Sequence, residues 1–523
     1  MANHDRIGGG VTVRYSTHSA CRPLSLFALA GAALILLTLL GAVFGAARAA
    51  ADDCNHTIFD GGGYIYDLEA SFKNPAGVPP SVEDEYGEPS NGGSNGPAES
   101  PPGPVKTEDA WDDWGDVYVF NPLANILVPT AADKYDGPEL GCTLAAGGQE
   151  QLYPVSLMQG LQVQHRWLIG TGGLNGARIL TTLRNPASSP IAVTVVQGDP
   201  SGFDNLGSDG GTASRATSNG SNVFSSASFW GITSDSPTTD GDPALAHVWD
   251  GPGGALRASE VVLGQGSADT LYWAWRNVTV APGATVAFIS YEIQQAAAGR
   301  STAAEVLAAI GQAQARQTQP ASTLYAAMAP AEIAGTLNWA HPQPTAVIAP
   351  VAKANAAKAV TLSGAGSVAA SGLPQCSVAA YAWKSGSKVG TGPTFTQLFS
   401  AGTQKVSLTV TSNCGASNTA EISFKVAKGF SFGKVKKNRK AGTAKLTLNV
   451  LGPATLTLKG KGVKKKVKKV KKAGKATLTV KATGKALKKL TATGQAKVKV
   501  TVAMTPTGGT TEKQTKKVNL KLG

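Results

Sequence analysis

Apolar and polar residues alternate with a period of two along many stretches of the chain, the period of half-buried β-strands. Residues 178–183 and 191–196 are apolar and β-branched and flank Asn185-Pro186-Ala187-Ser188-Ser189-Pro190, which predicts a β-hairpin. A second hairpin is predicted from 271–280 and 285–293, joined by Ala281-Pro282-Gly283-Ala284. In its second strand Val286, Phe288, Ser290 and Glu292 alternate with Ala287, Ile289, Tyr291 and Ile293, so one face is the more apolar. After Pro342-Gln343-Pro344, which marks a boundary, alternation resumes at 359–362, 378–383, 405–410 and 420–426. A last set occupies 444–450, 454–458, 476–480 and 496–502, punctuated by Gly452-Pro453, Gly460 and Gly474. Two segments depart from period two. Residues 302–317 carry Val306, Leu307 and Ile310 at helical spacing. Val463 to Val470 also has helical apolar spacing, but lysines four apart repel along a helix, so an exposed loop or edge strand is expected there. These elements predict a mainly β, multidomain protein: a β-sandwich acidic domain at 52–335, an Ig-like sandwich at 342–427 and a small Lys-rich β domain at 430–523.

Charge divides the chain in the same places. Residues 430–523 hold 25 lysines and Arg439 against Glu512 alone, whereas residues 50–341 hold 11 basic and 31 acidic side chains. Residues 342–429 carry seven lysines against Glu421. An acidic body on a basic tail points to a polyanionic partner for the tail. Charged residues make up only 16% of the 523, below the usual ~25%, and 62 Gly and 29 Pro suit short strands and turns rather than helical bundles. Six His and four Met argue against a His-rich metal centre. Residues 75–107, dense in Pro, Gly, Ser, Asn and Glu, read as a disordered loop.

Residues 1–49 read as a signal peptide or a signal anchor. Arg6, Arg14 and Arg22 precede an apolar segment at 24–44, followed by small residues. Ala47-Arg48-Ala49 or Ala49-Ala50-Ala51 would serve for cleavage, and the apolar segment is also long enough to remain as a transmembrane helix. Either outcome puts residues 52–523 outside the cytoplasm, extracellular or on the cell surface. There an even number of cysteines reads as disulfides: Cys54, Cys142, Cys376 and Cys414. Of three pairings, Cys54–Cys142 with Cys376–Cys414 keeps each bridge inside one domain.

Candidate chemistry is sparse. Asp204, Asp209, Asp240 and Asp242 lie in Gly-rich loops, and Trp111-Asp112-Asp113-Trp114-Gly115-Asp116 adds more carboxylates; hard oxygen ligands on loops suit calcium, but neither run has EF-hand spacing and solvated loops are the favoured reading. No other cofactor is implied. His247 and Asp250 invite a His–Asp relay, but no Gly-x-Ser-x-Gly elbow accompanies them and a lone His beside Trp249 reads rather as packed or exposed. Residues 170–176 echo a phosphate loop but lack its Lys-Ser/Thr, and read as a turn. Trp230, Trp249, Trp273 and Trp275 would line either a sugar platform or, the favoured reading, a core. For the tail, Lys464, Lys465, Lys466, Lys468, Lys469, Lys471 and Lys472 are the candidate polyanion-binding residues, with a solvated face that protects strand edges as the alternative.

Three stretches carry resemblances. Val360-Thr361-Leu362-Ser363-Gly364-Ala365-Gly366-Ser367, Tyr381-Ala382-Trp383 and 399–410 resemble the PKD domain, with Asn413-Cys414-Gly415-Ala416-Ser417 similar to its final hairpin turn. The resemblance implies an Ig-like fold, with Trp383, Leu408 and Val410 in the core. It also puts the loops of Cys376 and Cys414 at one end of the sandwich and implies a spacer or adhesion role. Lys384-Ser385-Gly386-Ser387-Lys388 departs from the family's acidic Gly-Asp-Gly turn, which sets aside any metal role there. The 182–186, 207–212, 242–247 and 280–286 segments resemble β-sandwich modules of secreted actinobacterial proteins, and 442–447 and 505–509 resemble a Lys-rich C-terminal module of exported ones.

Two functional readings follow. One is a non-enzymatic exported or cell-surface protein whose basic module binds anionic cell-envelope polymers or a membrane surface. The other is a secreted carbohydrate-binding protein or hydrolase in which residues 52–335 recognise glycans or an extracellular protein. Export excludes intracellular nucleic acid as a partner.

Overall fold

The computed structural model describes residues 56–61, 65–69, 88–90, 111, 115–135, 141–170, 175–202, 206, 212–234, 243–266, 269–295 and 302–523. The proposed export segment and, apart from 88–90, the 75–107 loop lie outside them. Among the described residues no helix is long and apolar enough to cross a membrane. The protein is mainly β, built as several β-sandwich layers.

In the acidic region a four-stranded and a nine-stranded sheet pack face to face. The four-stranded sheet runs in the order Glu260–Leu263, Leu271–Val280, Ile191–Gly198, Val117–Phe120. The larger sheet is centred on Leu245–Val248, Thr285–Gln294, Ala177–Arg184 and Leu161–Ile169. Period two distributes Thr285–Gln294 between two cores. Val286 and Phe288 join the core shared with Trp273 and Trp275, while Ala287, Ile289, Tyr291 and Ile293 meet a helical layer at 303–339.

Both predicted hairpins are corrected. Ala177–Arg184 pairs with Thr285–Gln294 and Leu161–Ile169, whereas Ile191–Gly198 pairs with Leu271–Val280 and Val117–Phe120. The connections at 185–190 and 281–284 are therefore arches that cross from one sheet to the other. Asn185 clamps them together. Its N–H donates to the Ala284 carbonyl (3.0 Å), its carbonyl accepts from Gly283 N–H (2.9 Å), and its Nδ2 donates to Val280 and Ser189 carbonyls (2.8 Å each). The arches set apolar faces against each other instead of side by side, and Trp275 stacks on Phe288 with centroids 4.4 Å apart.

The helix at 302–317 forms as Ala303–Thr318, capped by Thr302 and Glu305 in a reciprocal pair. Its buried face differs from the predicted stripe. Ala309, Ala313 and Arg316 are buried, Val306 and Ile310 flank them, and Leu307 is 67% exposed. Small alanines allow the helix to lie close on the sheet.

Residues 354–427 form a five-stranded sheet and a two-stranded one around Trp383, Phe395, Phe399, Leu408 and Val410. A disulfide joins Cys376 and Cys414, with Cα atoms 5.8 Å apart. That end packs on the helical layer, where Leu373 and Cys414 share a core with Tyr325, Met328, Ile333 and Trp339. Gly415, at φ +93°, approaches so closely that a Cβ would lie 2.9 Å from His341 Nδ1 and 3.0 Å from Ala334 Cα.

The C-terminal residues form two facing sheets: Phe430–Asn438, Thr443–Val450 and Gly474–Lys481 in one, and Val463–Val470, Ala454–Gly460, Gln495–Pro506 and Glu512–Lys521 in the other. Leu446, Leu448, Leu456, Leu458, Val500 and Val502 fill the space between them. The helix Gly484–Thr493 carries the chain across and buries Leu490. Val463–Val470 is an edge strand. Contact with the preceding residues is again close: a Cβ on Gly452 would lie 2.3 Å from the Ala357 carbonyl oxygen.

Candidate functional site

In an antiparallel sheet, directly opposed residues share a face, with Cβ atoms about 4.5–5.5 Å apart. Register therefore identifies the outer surfaces of the C-terminal sandwich. On Gln495–Pro506, Ala496, Val498, Val500 and Val502 are buried while Lys497, Lys499, Thr501 and Thr505 face out. Lys499 stands directly opposite Lys517, and Ala503 opposite Lys513. Lys459 continues the face, opposite Thr501. On the other sheet Lys445 stands opposite Lys436 on one side and Thr479 on the other, with Lys475 and Lys481 on the same outer surface.

Like charges directly opposed destabilise a sheet, and a carboxylate beside them would offset that cost. Glu512 does not do so. It lies on the opposite side of its strand from Lys517, accepting from Gly429 N–H (2.7 Å) and Gln514 Nε2 (2.8 Å). Phe430 and Phe432 are in or against the core, so neither outer face carries an aromatic ring.

The structure divides the seven candidate lysines. Lys464, Lys465, Lys466, Lys468 and Lys469 lie on the edge strand, and Lys471 and Lys472 follow it in the turn. All seven are exposed. Lys469 is opposite Thr455 and faces out, whereas Lys466 and Lys468 are opposite Leu458 and Leu456, on the core-facing side. Inward charges at a rim prevent edge-to-edge pairing. The sequence reading missed Lys436, Lys445, Lys497, Lys499, Lys513 and Lys517. The alternation Lys497-Val498-Lys499-Val500 was the available signal, but only pairing sets Lys517 beside Lys499.

The acidic region treats polar groups in the opposite way. His247 does not form a relay with Asp250. Its Nδ1 lies 2.6 Å from Glu292 Oε2, its cross-strand neighbour, and its Nε2 lies 2.8 Å from Thr233 Oγ1. A hydroxyl, imidazole and carboxylate in line would suit nucleophilic chemistry. However, His247 and Glu292 are 0% exposed and Thr233 is 1% exposed, so the line acts as a clasp across three adjacent strands.

Asp250 instead accepts from Trp275 Nε1 (3.0 Å) and Ala258 N–H (2.8 Å), with Arg257 Nε at 3.8 Å. Burial pushes its carboxyl up to about 7 despite those donors. Glu150 pairs with Arg178 at 3.3 Å, and Arg178 also donates to the Leu324 and Ala326 carbonyls, tying the helical layer to the sheet. Arg166 adds a 2.7 Å pair with Glu332. Burial raises the Glu150 carboxyl and lowers the Arg178 guanidinium; it lowers the His165 imidazole to about 3.

Trp230, Trp249, Trp273 and Trp275 are all buried, in accord with the core reading. Asp204, Asp209, Asp240 and Asp242 lie outside the described residues, as do Asp112 and Asp113. Asp116 is buried against Lys134 Nζ (3.0 Å) and the Tyr118 hydroxyl (2.8 Å). Among the described residues no group of three or more His, Cys, Asp or Glu is arranged to hold a metal. Of the phosphate-loop echo, Gly176 N–H is held by Asp60 Oδ2 at 2.7 Å. Cys142 is buried and disulfide-bonded, while Cys54 lies outside the described residues.

No protein-family model and no curated protein matches the chain. Among solved structures it is similar to a carbohydrate-binding module of a β-sandwich superfamily, at 17% identity and TM-score 0.15, over 34% of this chain and 96% of that one. It is also similar to a polysaccharide lyase, at 10% identity and TM-score 0.23, over 79% of this chain and 40% of the other. A third is a Ca²⁺-stabilised adhesin with which an Antarctic bacterium binds ice, at 12% identity and TM-score 0.16, over 73% and 100%. At such TM-scores none of these likenesses carries an argument about activity.

Proposed function

We propose that the chain is a non-enzymatic exported or cell-surface protein held by its basic module, residues 430–523, on the anionic polymers of a cell envelope. In this reading residues 52–335 form an acidic β-sandwich domain and residues 342–427 a PKD-like spacer. The observation that carries the reading is the pair of opposed lysine couples, Lys499–Lys517 and Lys436–Lys445, on faces without a carboxylate. Lysine ammonium groups are hydrated point charges suited to polyanions of no fixed geometry. Faces without aromatic rings offer no stacking platform for bases, which favours phosphate or carboxylate polymers over single-stranded nucleic acid. The close packing at both ends of residues 354–427 supports a spacer that transmits position rather than a loose linker.

The test is binding of the full chain to isolated envelopes across a salt series. Raising ionic strength from about 0.1 to 1 M shortens the screening length from ~10 to ~3 Å and should strip the protein off. Replacing Lys436, Lys445, Lys499 and Lys517 by Thr should weaken binding at every salt concentration. Salt-insensitive binding would overturn the reading and direct attention to the acidic domain as a glycan or protein receptor.

A further inference from the structure

Lysines line both rims of the sandwich, and a carboxylate and closing hydrogen bonds accompany them at one rim only. At the other rim the edge strand Val463–Val470 touches both sheets: it pairs with Ala454–Gly460 in its own, and Val463 bridges to Ala482 just beyond the other sheet's last strand. Lys466 and Lys468 there point toward the gap between sheets, while Lys469 points to the outer face. Lys475 and Lys481 continue on the neighbouring strand, leading to Lys445 and Lys436. The opposite rim also carries lysines, Lys434, Lys436 and Lys437 on Phe430–Asn438 and Lys513, Lys516, Lys517 and Lys521 on Glu512–Lys521, but it is closed by hydrogen bonds. There Lys516 Nζ donates to the Gly433 carbonyl (3.1 Å), Gln514 Nε2 donates to the Phe430 carbonyl (2.6 Å), and Glu512 provides the module's one carboxylate.

We infer that a single linear polyanion wraps around the edge strand Val463–Val470, engaging both lysine faces of one module at once. The inference rests on the proposed polyanion binding and adds the path the polymer takes. Lysines at the edge then have a role that edge protection alone does not ask of them: they carry the polymer's charge between the two faces. Three spacings in one sheet and two in the other, each about 4.8 Å, with a gap of about 10 Å between sheets give a path of roughly 35 Å. One face alone spans roughly 15–20 Å. A chain long enough to reach both faces gains from effective concentration, because its second contact is intramolecular.

Size-fractionated linear polyphosphate is a suitable probe of the full chain, with affinity and complex mass measured at fixed low salt. Affinity per chain should rise until the contour reaches about 35 Å and then level, with one protein bound per chain of that length. Replacing Lys464, Lys466 and Lys468 by Thr should lower affinity for such chains about 10- to 100-fold while leaving chains of about 15 Å nearly unaffected. Replacing Lys485, Lys488 and Lys489 on the crossover helix removes the same charge and should cost far less. The inference is overturned if affinity stops rising at the length of one face, if edge and helix variants behave alike, or if chains of the full path length bind two modules instead of one. Absence of binding at every length would instead sink the proposed function itself, so the two failures read differently.

Discussion

The acidic and basic regions are both sandwiches of facing sheets, yet they place charge in opposite ways. Residues 115–339 bury theirs: Glu150, Arg178, His247, Glu292 and Asp250 are each under 4% exposed and each has a partner in the interior. Residues 430–523 turn theirs outward and set two lysine couples directly opposite one another. A buried pair specifies which strands and helices meet, because losing one partner leaves the other without compensation. An exposed set of like charges keeps strand edges from pairing and costs stability where charges are directly opposed; in the proposed reading its use is to bind a partner outside the chain.

That contrast can be broken by substitution. Arg178→Ala should cost about 3–5 kcal/mol in denaturant unfolding, since it leaves Glu150 with only Arg166 Nε at 4.0 Å and frees two carbonyls that anchor the helical layer. A loss below about 1 kcal/mol would mean that the interior charges do not specify the packing. Removing the disulfide as Cys376→Ala with Cys414→Ala opens a loop of 38 residues and should cost about 4 kcal/mol by loop entropy. Hydrogen exchange should then show the loosening at residues 370–376 and at the helical layer they pack on.

The effect of pH sharpens the same comparison. Asp250 titrates at about 7 in the fold against an ordinary 3.8, so the folded state holds its proton more tightly. Its contribution is complete below about pH 4 and is lost as pH rises through about 7, at most about 4 kcal/mol. His165, lowered to about 3 from 6.5, acts in the reverse sense: the stability it allows is present above about pH 6.5 and is lost as pH falls toward 3. Unfolding curves of Asp250→Asn should lack the downward slope between about pH 4 and 7 that the parent shows. Parallel slopes in the two proteins would place the titration elsewhere. The smallest effect belongs to the basic faces. Lys499→Thr should leave stability unchanged or raise it by about 0.5 kcal/mol, since it relieves a like-charge couple. A clear loss would show that the lysine is part of the architecture rather than of a binding surface.

Much of the secondary structure was legible. Strands around residues 444–450, 454–458, 476–480 and 496–502 all formed, because strict alternation against a core is a local property of the chain. Repulsion of its lysines in a helix left an exposed loop or an edge strand for 463–470, and the structure has the edge strand. Partners were not legible. A four-residue link such as Ala281-Pro282-Gly283-Ala284 serves a hairpin or an arch equally well, and Asn185 decides between them through bonds to Val280, Gly283 and Ala284. The carboxylate that holds His247 is Glu292, 45 residues away, which no local spacing reveals.

The sequence by itself determined that this chain is mainly β, where its strands face in and out, and that its charge is segregated along its length. Those are consequences of side-chain period and composition, which act locally. Only the tertiary structure decided which strands pair, which charges are buried together and which lysines stand side by side. Backbone hydrogen bonds are the same for any sequence, so pairing is chosen by whichever distant apolar faces and buried polar groups can be satisfied at once.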